Sequence, residues 1–176
     1  GTDDSWRFRR GVIVHQLLEI LPQLPEDKRA AALSRWLSRP SLAMPPEEQA
    51  VFAAEVMGVL THPDFADIFA PHARAEVPVV GLAGQVSAAL PQKVLSGQID
   101  RLCVGDTEVL AVDFKTNRPP PKDESKVPAV YLKQMAAYRD ILRKIYPDKT
   151  VRSALLWTDG PLLMPLSDNL LDPHAP

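Results

Sequence analysis

The sequence predicts an α/β sandwich, in which helices cover both faces of a mixed β-sheet. The predicted elements run in the order of helices, three strands, one long helix and one or two further strands, and this order is typical of that class. The two central strands carry apolar residues on both faces, which indicates that layers of structure cover both sides of the sheet.

Residues 1–72 are predicted to be mainly helical. Apolar residues recur at helical spacing over about residues 7–21, and a proline ends that run. Two more helices are expected over residues 26–38 and 46–60, and the second of them opens with a proline and two glutamates. The proline-broken stretch 61–73 is expected to hold one short helical turn.

Residues 73–166 are predicted to hold the sheet and its long helix. Strands are expected over residues 75–80, 93–104, 108–115 and 151–157, with a short fifth strand at 162–164. Pro78 indicates an edge strand or a bulge for the first of them. Residues 127–146 give the strongest predicted helix, and residues 167–176 are expected to form an irregular tail. The whole chain is expected to be a single domain.

The hairpin turn between the second and third strands decides which side chains share a face. Gly105–Asp106 is interpreted as a two-residue turn with glycine at its first central position, as a type II′ turn prefers. Asp100 would then face Ala111. Because side chains alternate along a strand and opposed residues point the same way, Asp100 would lie on the face of Asp113 and Lys115, diagonal to Asp113.

Two carboxylates and a lysine on a covered face are costly to bury unless they are paired or bind a metal. Diagonal neighbours in a sheet lie ~7–8 Å apart, so Asp100 and Asp113 are near enough to share one metal ion. The alternative is an internal salt bridge of Lys115 with either aspartate at a sheet edge. The parity of Asp100 favours the metal interpretation.

The composition bounds the class of protein. A chain of 176 residues that is 45% hydrophobic suits one domain with a substantial core. Cys103 is the only cysteine, which excludes an intrachain disulfide and a four-cysteine zinc or iron–sulfur site within this chain. Because the sequence shows neither a bilayer-spanning apolar run nor the apolar core of a signal peptide, we expect a soluble, cytoplasmic protein with no membrane partner.

The formal net charge of −2 counts against a partner that holds DNA by electrostatics alone. Basic residues nevertheless form two clusters, which are either solvated charged stretches or contacts for nucleic acid. The clusters are Arg7, Arg9 and Arg10, and Lys115, Arg118, Lys122, Lys126 and Lys133.

Four motifs in order resemble the PD-(D/E)XK nuclease superfamily, and more closely its RecB-type branch, which includes the C-terminal nuclease domains of RecB and AddA helicase–nucleases. They are GQIDRL, VDFKT, QMAAY and, in the first helix, Gly11-x-x-x-His15-x-x-Leu18-Glu19. The stretch AEVPVVG is similar to the first strand of that branch. The likeness runs from about Gly11 to Trp157 and implies a restriction-endonuclease-like fold in a bacterial cytoplasmic protein.

The resemblance also implies an active site that uses Mg²⁺ or Mn²⁺. The implied metal ligands are His15, Asp100, Asp113 and the main-chain carbonyl of Phe114. Lys115 matches the catalytic lysine, and Gln134 and Tyr138 match an extra catalytic motif on the helix beside the site. Plainer roles are the alternatives, namely a structural histidine and a core tyrosine. Glu76 is interpreted as a strand-edge surface glutamate, with a supporting role in the site as the alternative, and Glu19 either orients His15 or lies at the surface.

The resemblance implies exonuclease-type hydrolysis of DNA in double-strand-break repair and recombination, acting on single-stranded ends. The chain has no Gly-x-x-x-x-Gly-Lys-Ser/Thr phosphate loop, so a helicase domain is expected elsewhere on the same polypeptide, together with an AddB-like partner subunit and no iron–sulfur cluster. A catalytically degenerate nuclease fold that binds DNA or acts as a scaffold is the alternative. A different metallohydrolase is less favoured, because the chain has no His-Glu-x-x-His motif and no nucleophile elbow.

Overall fold

A computed structural model describes residues 2–83 and 93–176, which divide into two compact units. The first, here called the helical unit, comprises Gly1–Pro71, Phe114–Pro120 and Leu156–Leu162. The second, here called the sheet unit, comprises His72–Asp113, Pro121–Leu155 and Leu163–Pro176. Among the described residues, no helix combines the length and the apolar content that crossing a membrane requires.

The helical unit is built from the N-terminal helices that the sequence predicts. They are α1 (Thr2–Ile20), α2 (Glu26–Leu37) and α3 (Pro46–Leu60), followed by a 3-10 helix at Pro63–Phe69. The first helix begins at Thr2 rather than near residue 7. It ends in the 3-10 turn Leu21–Gln23, where Pro22 has no N–H to continue the helix. The apolar stripe of α1 is buried as the spacing predicts, through Val14, Leu17, Leu18 and Leu21.

The strands form one five-stranded sheet over the described residues, in the order β1-β2-β3-β4-β5. They are β1 (Arg74–Ala83), β2 (Lys93–Val104), β3 (Glu108–Lys115), β4 (Thr150–Trp157) and β5 (Leu162–Leu166). Strand β1 lies at the end of this order, which confirms the edge position that Pro78 indicates.

The sheet is mixed, as predicted. Strand β2 runs antiparallel to both β1 and β3. Strands β3 and β4 run parallel, because the Thr150 N–H donates to the Thr107 carbonyl and the Thr158 N–H donates to the Lys115 carbonyl, so both chains advance together. Helix α4 (Ala129–Ile145) forms the crossover that a parallel pair requires, and its buried face covers the sheet.

The turn between β2 and β3 differs from the prediction. The Gly105 N–H donates to the Glu108 carbonyl at 2.8 Å, so the two central residues are Asp106 and Thr107 rather than Gly105 and Asp106. Neither central residue has a positive φ, so the expected type II′ turn is wrong. The shift pairs apolar Val104 with Val109, and it leaves the face of every side chain unchanged because the register moves by two.

The C-terminal tail is also more regular than predicted. A short helix, α5 (Asp168–Leu171), is followed by a 3-10 turn at Asp172–His174. Arg139 of α4 is only 2% exposed, and its guanidinium contacts both Asp168 and Asp172. This ion pairing holds the tail on α4, and burial of Leu171 adds to it.

Candidate active site

Asp100 of β2 and Asp113 of β3 lie just beyond the last residues that pair in the β2–β3 register. That register ends with Arg101 opposite Val112, and its continuation by one step along both strands brings Asp100 opposite Asp113. The expected diagonal arrangement, with Asp100 facing Ala111, is therefore wrong, because the turn lies one residue later than predicted. Directly opposed residues have Cβ atoms ~4.5–5.5 Å apart, so the two carboxylates are closer than the diagonal register implied.

Glu76 of β1 extends this pair into a row. In the β1–β2 register, Ala75 lies opposite Arg101 and Val77 lies opposite Ile99. Glu76, between them, therefore lies opposite Asp100. A carboxylate oxygen of Glu76 and one of Asp100 lie within 4.8 Å of each other. Three acidic residues on three neighbouring strands thus share one face of the sheet. We call Glu76, Asp100 and Asp113 the acid row.

The acid row is largely removed from water, since Asp100 is 7% and Asp113 is 4% exposed. Like charges that face each other directly destabilise a sheet, and burial increases the free-energy cost of keeping them charged. A divalent cation coordinated by these carboxylates would lower that cost. Carboxylate oxygens are the ligands that Mg²⁺ and Mn²⁺ prefer, so the chemistry of the row fits such an ion.

Glu76 has a backbone conformation that is unusual within a strand. Its φ is 51°, in the left-handed region that costs a residue with a Cβ about 1–2 kcal/mol. Strain of this kind is concentrated at functional sites, where the surrounding structure maintains it. A surface glutamate is the expected interpretation of this position, and the structure instead places a half-buried side chain beside Asp100. The alternation of side chains along β1 and the pairing of β1 with β2 are the signals that place Glu76 beside Asp100.

Tyr138 and Gln134, the two residues of the helix motif, hold the backbone of β2 near the acid row. The Tyr138 hydroxyl donates to the Gln98 carbonyl at 3.0 Å and accepts from the Gln98 N–H at 3.2 Å. The Gln134 side-chain amide donates to the same hydroxyl at 3.1 Å. A Cβ at Gly97 would lie 2.5 Å from the Tyr138 ring, so only glycine allows this close approach. The ring thereby fixes β2 two residues before Asp100.

The electrostatics connect this tyrosine to the row. Burial raises the pKa of the Tyr138 hydroxyl above its ordinary value, and the negative charges of Asp113 and Asp100 raise it further. Because the folded-state pKa is the higher one, the phenol stabilises the fold below about pH 10, and this contribution disappears as the pH rises through the folded pKa.

We expect Tyr138→Phe to lower the free energy of unfolding at pH 8 by about 1–3 kcal/mol, because the Gln98 backbone groups lose their partner. The difference in the free energy of unfolding between the variant and the wild type should be smaller at pH 11. At that pH the wild-type phenol loses its stabilising contribution, whereas phenylalanine has no proton to lose. Urea unfolding at both pH values measures this. An equal difference at the two pH values would contradict the assignment.

His15 and the Phe114 carbonyl meet within the helical unit. The His15 Nε2 atom lies 3.1 Å from that carbonyl oxygen, and the two rings are in edge contact with centroids 5.7 Å apart. The structure therefore brings together the two groups that the motifs assign as nitrogen and main-chain ligands. Both atom types can coordinate Mn²⁺ or Mg²⁺, although imidazole suits transition metals better.

Lys115 ends β3 and follows Asp113 by two residues, so the alternation of the strand points their side chains to the same face. Its carbonyl accepts the Thr158 N–H at 3.0 Å. The lysine is half-buried, which removes part of its flexible stem from solvent.

The basic clusters are not simply solvated stretches. Arg10 is buried in an ion pair with Glu55, so a solvent-exposed or DNA-contacting role is wrong for this residue. Arg118 contacts the same glutamate at 2.7 Å and Asp159 at 3.2 Å. Both arginines therefore have protein partners within the helical unit.

Comparison with known families decides the identity of this arrangement. The sequence profile described as the PD-(D/E)XK nuclease superfamily matches residues 2–163. The chain belongs to the PD-(D/E)XK nuclease superfamily. Membership confirms the superfamily that the four motifs indicate, and the mixed five-stranded sheet flanked by helices agrees with its restriction-endonuclease-like fold.

Among solved structures, the PD-(D/E)XK chain is similar to the protein in "Crystal structure of SSO0001", with 14% sequence identity. The match covers 90% of this chain and 70% of that one, with a TM-score of 0.37. The comparison with curated proteins gives no match. Superfamily membership indicates a nuclease, and members of this superfamily generally depend on a metal ion.

Proposed function

We propose that this PD-(D/E)XK chain is a Mg²⁺- or Mn²⁺-dependent deoxyribonuclease that hydrolyses phosphodiester bonds in DNA. The observation that carries the proposal is the acid row, in which buried Asp100 and Asp113 oppose each other and Glu76 lies beside Asp100. Clustered carboxylates supply the hard oxygen ligands that such a cation prefers.

The residues that would hold the ion are those of the superfamily motifs. Asp100 and Asp113 supply carboxylate oxygens, and their burial keeps them fixed. We propose that His15 and the Phe114 carbonyl supply further ligands, because both match the motif and lie in contact with each other. Glu76 adds a third carboxylate, which we propose accepts a hydrogen bond from a water molecule of the site.

The proposed reaction is hydrolysis by in-line attack of water on phosphorus, with cleavage of the bond to the leaving oxygen, which takes up a proton. When bound, the metal lowers the pKa of a coordinated water and offsets charge on the phosphoryl oxygens. Lys115 orients the attacking water and stabilises the negative charge that grows in the transition state. Tyr138, supported by Gln134, keeps β2 in the position that presents Asp100.

We further propose that the chain is the nuclease domain of an AddA-like helicase–nuclease in double-strand-break repair. The RecB-type motifs GQIDRL, VDFKT and QMAAY support this assignment. The substrate would be single-stranded DNA ends, supplied by a helicase domain of the same polypeptide with an AddB-like subunit. A net charge of −2 suits a domain that receives DNA from a motor rather than capturing it unaided.

End-labelled single-stranded and duplex DNA, incubated with the protein and Mg²⁺, Mn²⁺ or EDTA, tests the activity. We expect cleavage with either metal, none with EDTA, and a preference for single-stranded ends. Asp100→Asn should lower cleavage at least about 100-fold, because it removes a ligand charge. Asp106→Asn makes the same chemical change at the exposed hairpin turn and should leave cleavage unchanged. DNA binding without metal-dependent cleavage would favour the degenerate, scaffolding alternative.

A further inference from the structure

A buried ion cluster in the helical unit gathers groups from four separate parts of the chain. Glu55 of α3 lies at its centre, with a side chain only 5% exposed. Its two carboxylate oxygens accept hydrogen bonds from Arg10 of α1, from Arg118 after β3 and from the Thr158 hydroxyl after β4. We call Arg10, Glu55, Arg118 and Thr158 the Glu55 cluster.

The cluster bonds to the backbone on the C-terminal side of the catalytic lysine. The Arg10 guanidinium donates through Nη1 to the Thr116 carbonyl at 2.6 Å. The Thr158 N–H donates to the Lys115 carbonyl at 3.0 Å. Two successive carbonyls, those of Lys115 and Thr116, are thus held by residues that Glu55 in turn orients.

The Thr158 hydroxyl has one proton to donate, and its geometry shows where that proton goes. The oxygen lies 2.5 Å from a Glu55 carboxylate oxygen and 3.4 Å from the Lys115 carbonyl. Because the carboxylate is charged and nearer, it takes the proton. The hydroxyl therefore fixes the Thr158 backbone, whose N–H remains directed at Lys115.

We propose that Glu55 and Thr158 are positioning residues for Lys115. This inference rests on the proposed nuclease function, in which the Lys115 amine must meet the attacking water. A lysine has a long, flexible stem, so the placement of its amine depends on how firmly its backbone is held. An error of about 1 Å in a catalytic group can lower a rate by about 100-fold.

The burial of the cluster supports a role beyond simple packing. A buried group of ions contributes little net stability compared with apolar residues of similar size. Here its donors converge on a single backbone segment, the one that directly follows Lys115. The Glu55 cluster therefore fixes the position of this backbone through directed hydrogen bonds, which apolar side chains could not provide.

Single-turnover cleavage of end-labelled DNA with saturating Mn²⁺ tests the proposal in the wild type and four variants. We expect Thr158→Val to lower the rate about 10–100-fold, and Thr158→Ser, which keeps the hydroxyl, to stay within about threefold of wild type. In a Lys115→Ala background, Thr158→Val should change the remaining rate by less than about twofold, because its effect passes through the lysine. Equal losses in both backgrounds would show a general structural role and overturn the proposal.

Amide hydrogen exchange provides a readout that does not need activity. Glu55→Gln should speed exchange in peptides that cover residues 114–118 and 156–160 by at least about tenfold relative to Glu47→Gln, an exposed position on the same helix. Unchanged exchange there would overturn the positioning role whether or not the protein cuts DNA. If Glu55→Gln exchanges faster but the wild-type protein cuts no DNA, the nuclease function is rejected and the role of Glu55 in holding this backbone remains.

Discussion

Lys115→Ala is expected to bind Mn²⁺ as well as wild type does and to cut DNA 10²–10³-fold more slowly. The lysine contributes charge stabilisation in the transition state, and loss of one such group typically costs ~2.7–4 kcal/mol of barrier. Asp113→Ala should lose both metal binding and cleavage, because this carboxylate is a proposed ligand. Calorimetric Mn²⁺ titration and a cleavage assay with radiolabelled DNA, applied to both variants, separate the two roles.

Lys28→Ala is the matched control for the lysine variant. Lys28 is an exposed residue of α2 that pairs with its neighbour Asp27 at 3.2 Å, so both metal binding and cleavage should match wild type. Unimpaired cutting by Asp113→Ala would refute the assignment of the acid row as the metal site. Loss of Mn²⁺ binding in Lys115→Ala would refute the division of roles.

Glu55→Ala is expected to lower the free energy of unfolding by about 3–5 kcal/mol. The substitution leaves the buried guanidinium of Arg10 without its carboxylate, and breaking a buried pair by removing one partner has a cost of this size. For a chain of this length, the loss corresponds to a fall in Tm of roughly 6–20 °C. Thermal unfolding followed by circular dichroism, together with urea unfolding, measures both quantities.

Glu47→Ala is the control for this substitution, since Glu47 lies exposed in the first turn of the same helix. Its removal should cost no more than about 1 kcal/mol, the usual contribution of a carboxylate near a helix N-terminus. If Glu55→Ala were no more destabilising than Glu47→Ala, the burial and pairing of Glu55 would contribute nothing measurable to the free energy of unfolding.

Periodicity predicted most of the fold, because the apolar residues of each element lie close together in sequence. The apolar stripe of α1 is an example, although that helix begins at Thr2, before the predicted start. Helix α4 lies between the two prolines that were expected to bound it. Helix α5 was missed because its determinant is remote. Asp168 and Asp172 are held by Arg139, which lies far away along the chain and whose burial the local pattern does not reveal.

The candidate site was predictable where strand parity determines it. Asp100 shares a face with Asp113 in both the expected and the observed register, because the turn moved without changing parity. Glu76 was harder to assign, since its place in the row depends on which residue of β2 it opposes and on a left-handed backbone. The Glu55 cluster has no sequence signature, because its members come from four segments that only the tertiary fold brings together.

The outer strand of the sheet also bears on how the protein behaves at high concentration. Over residues 2–83 and 93–176, no strand pairs with the outer side of β1, and such a border can template the addition of a second polypeptide and start aggregation. Pro78 lacks a donor, and the reversed dihedral of Glu76 interrupts the regular spacing of the groups beside it. A second strand therefore finds no regular series of hydrogen-bonding groups on β1. The geometry that brings Glu76 close to Asp100 thus also disfavours self-association along this border.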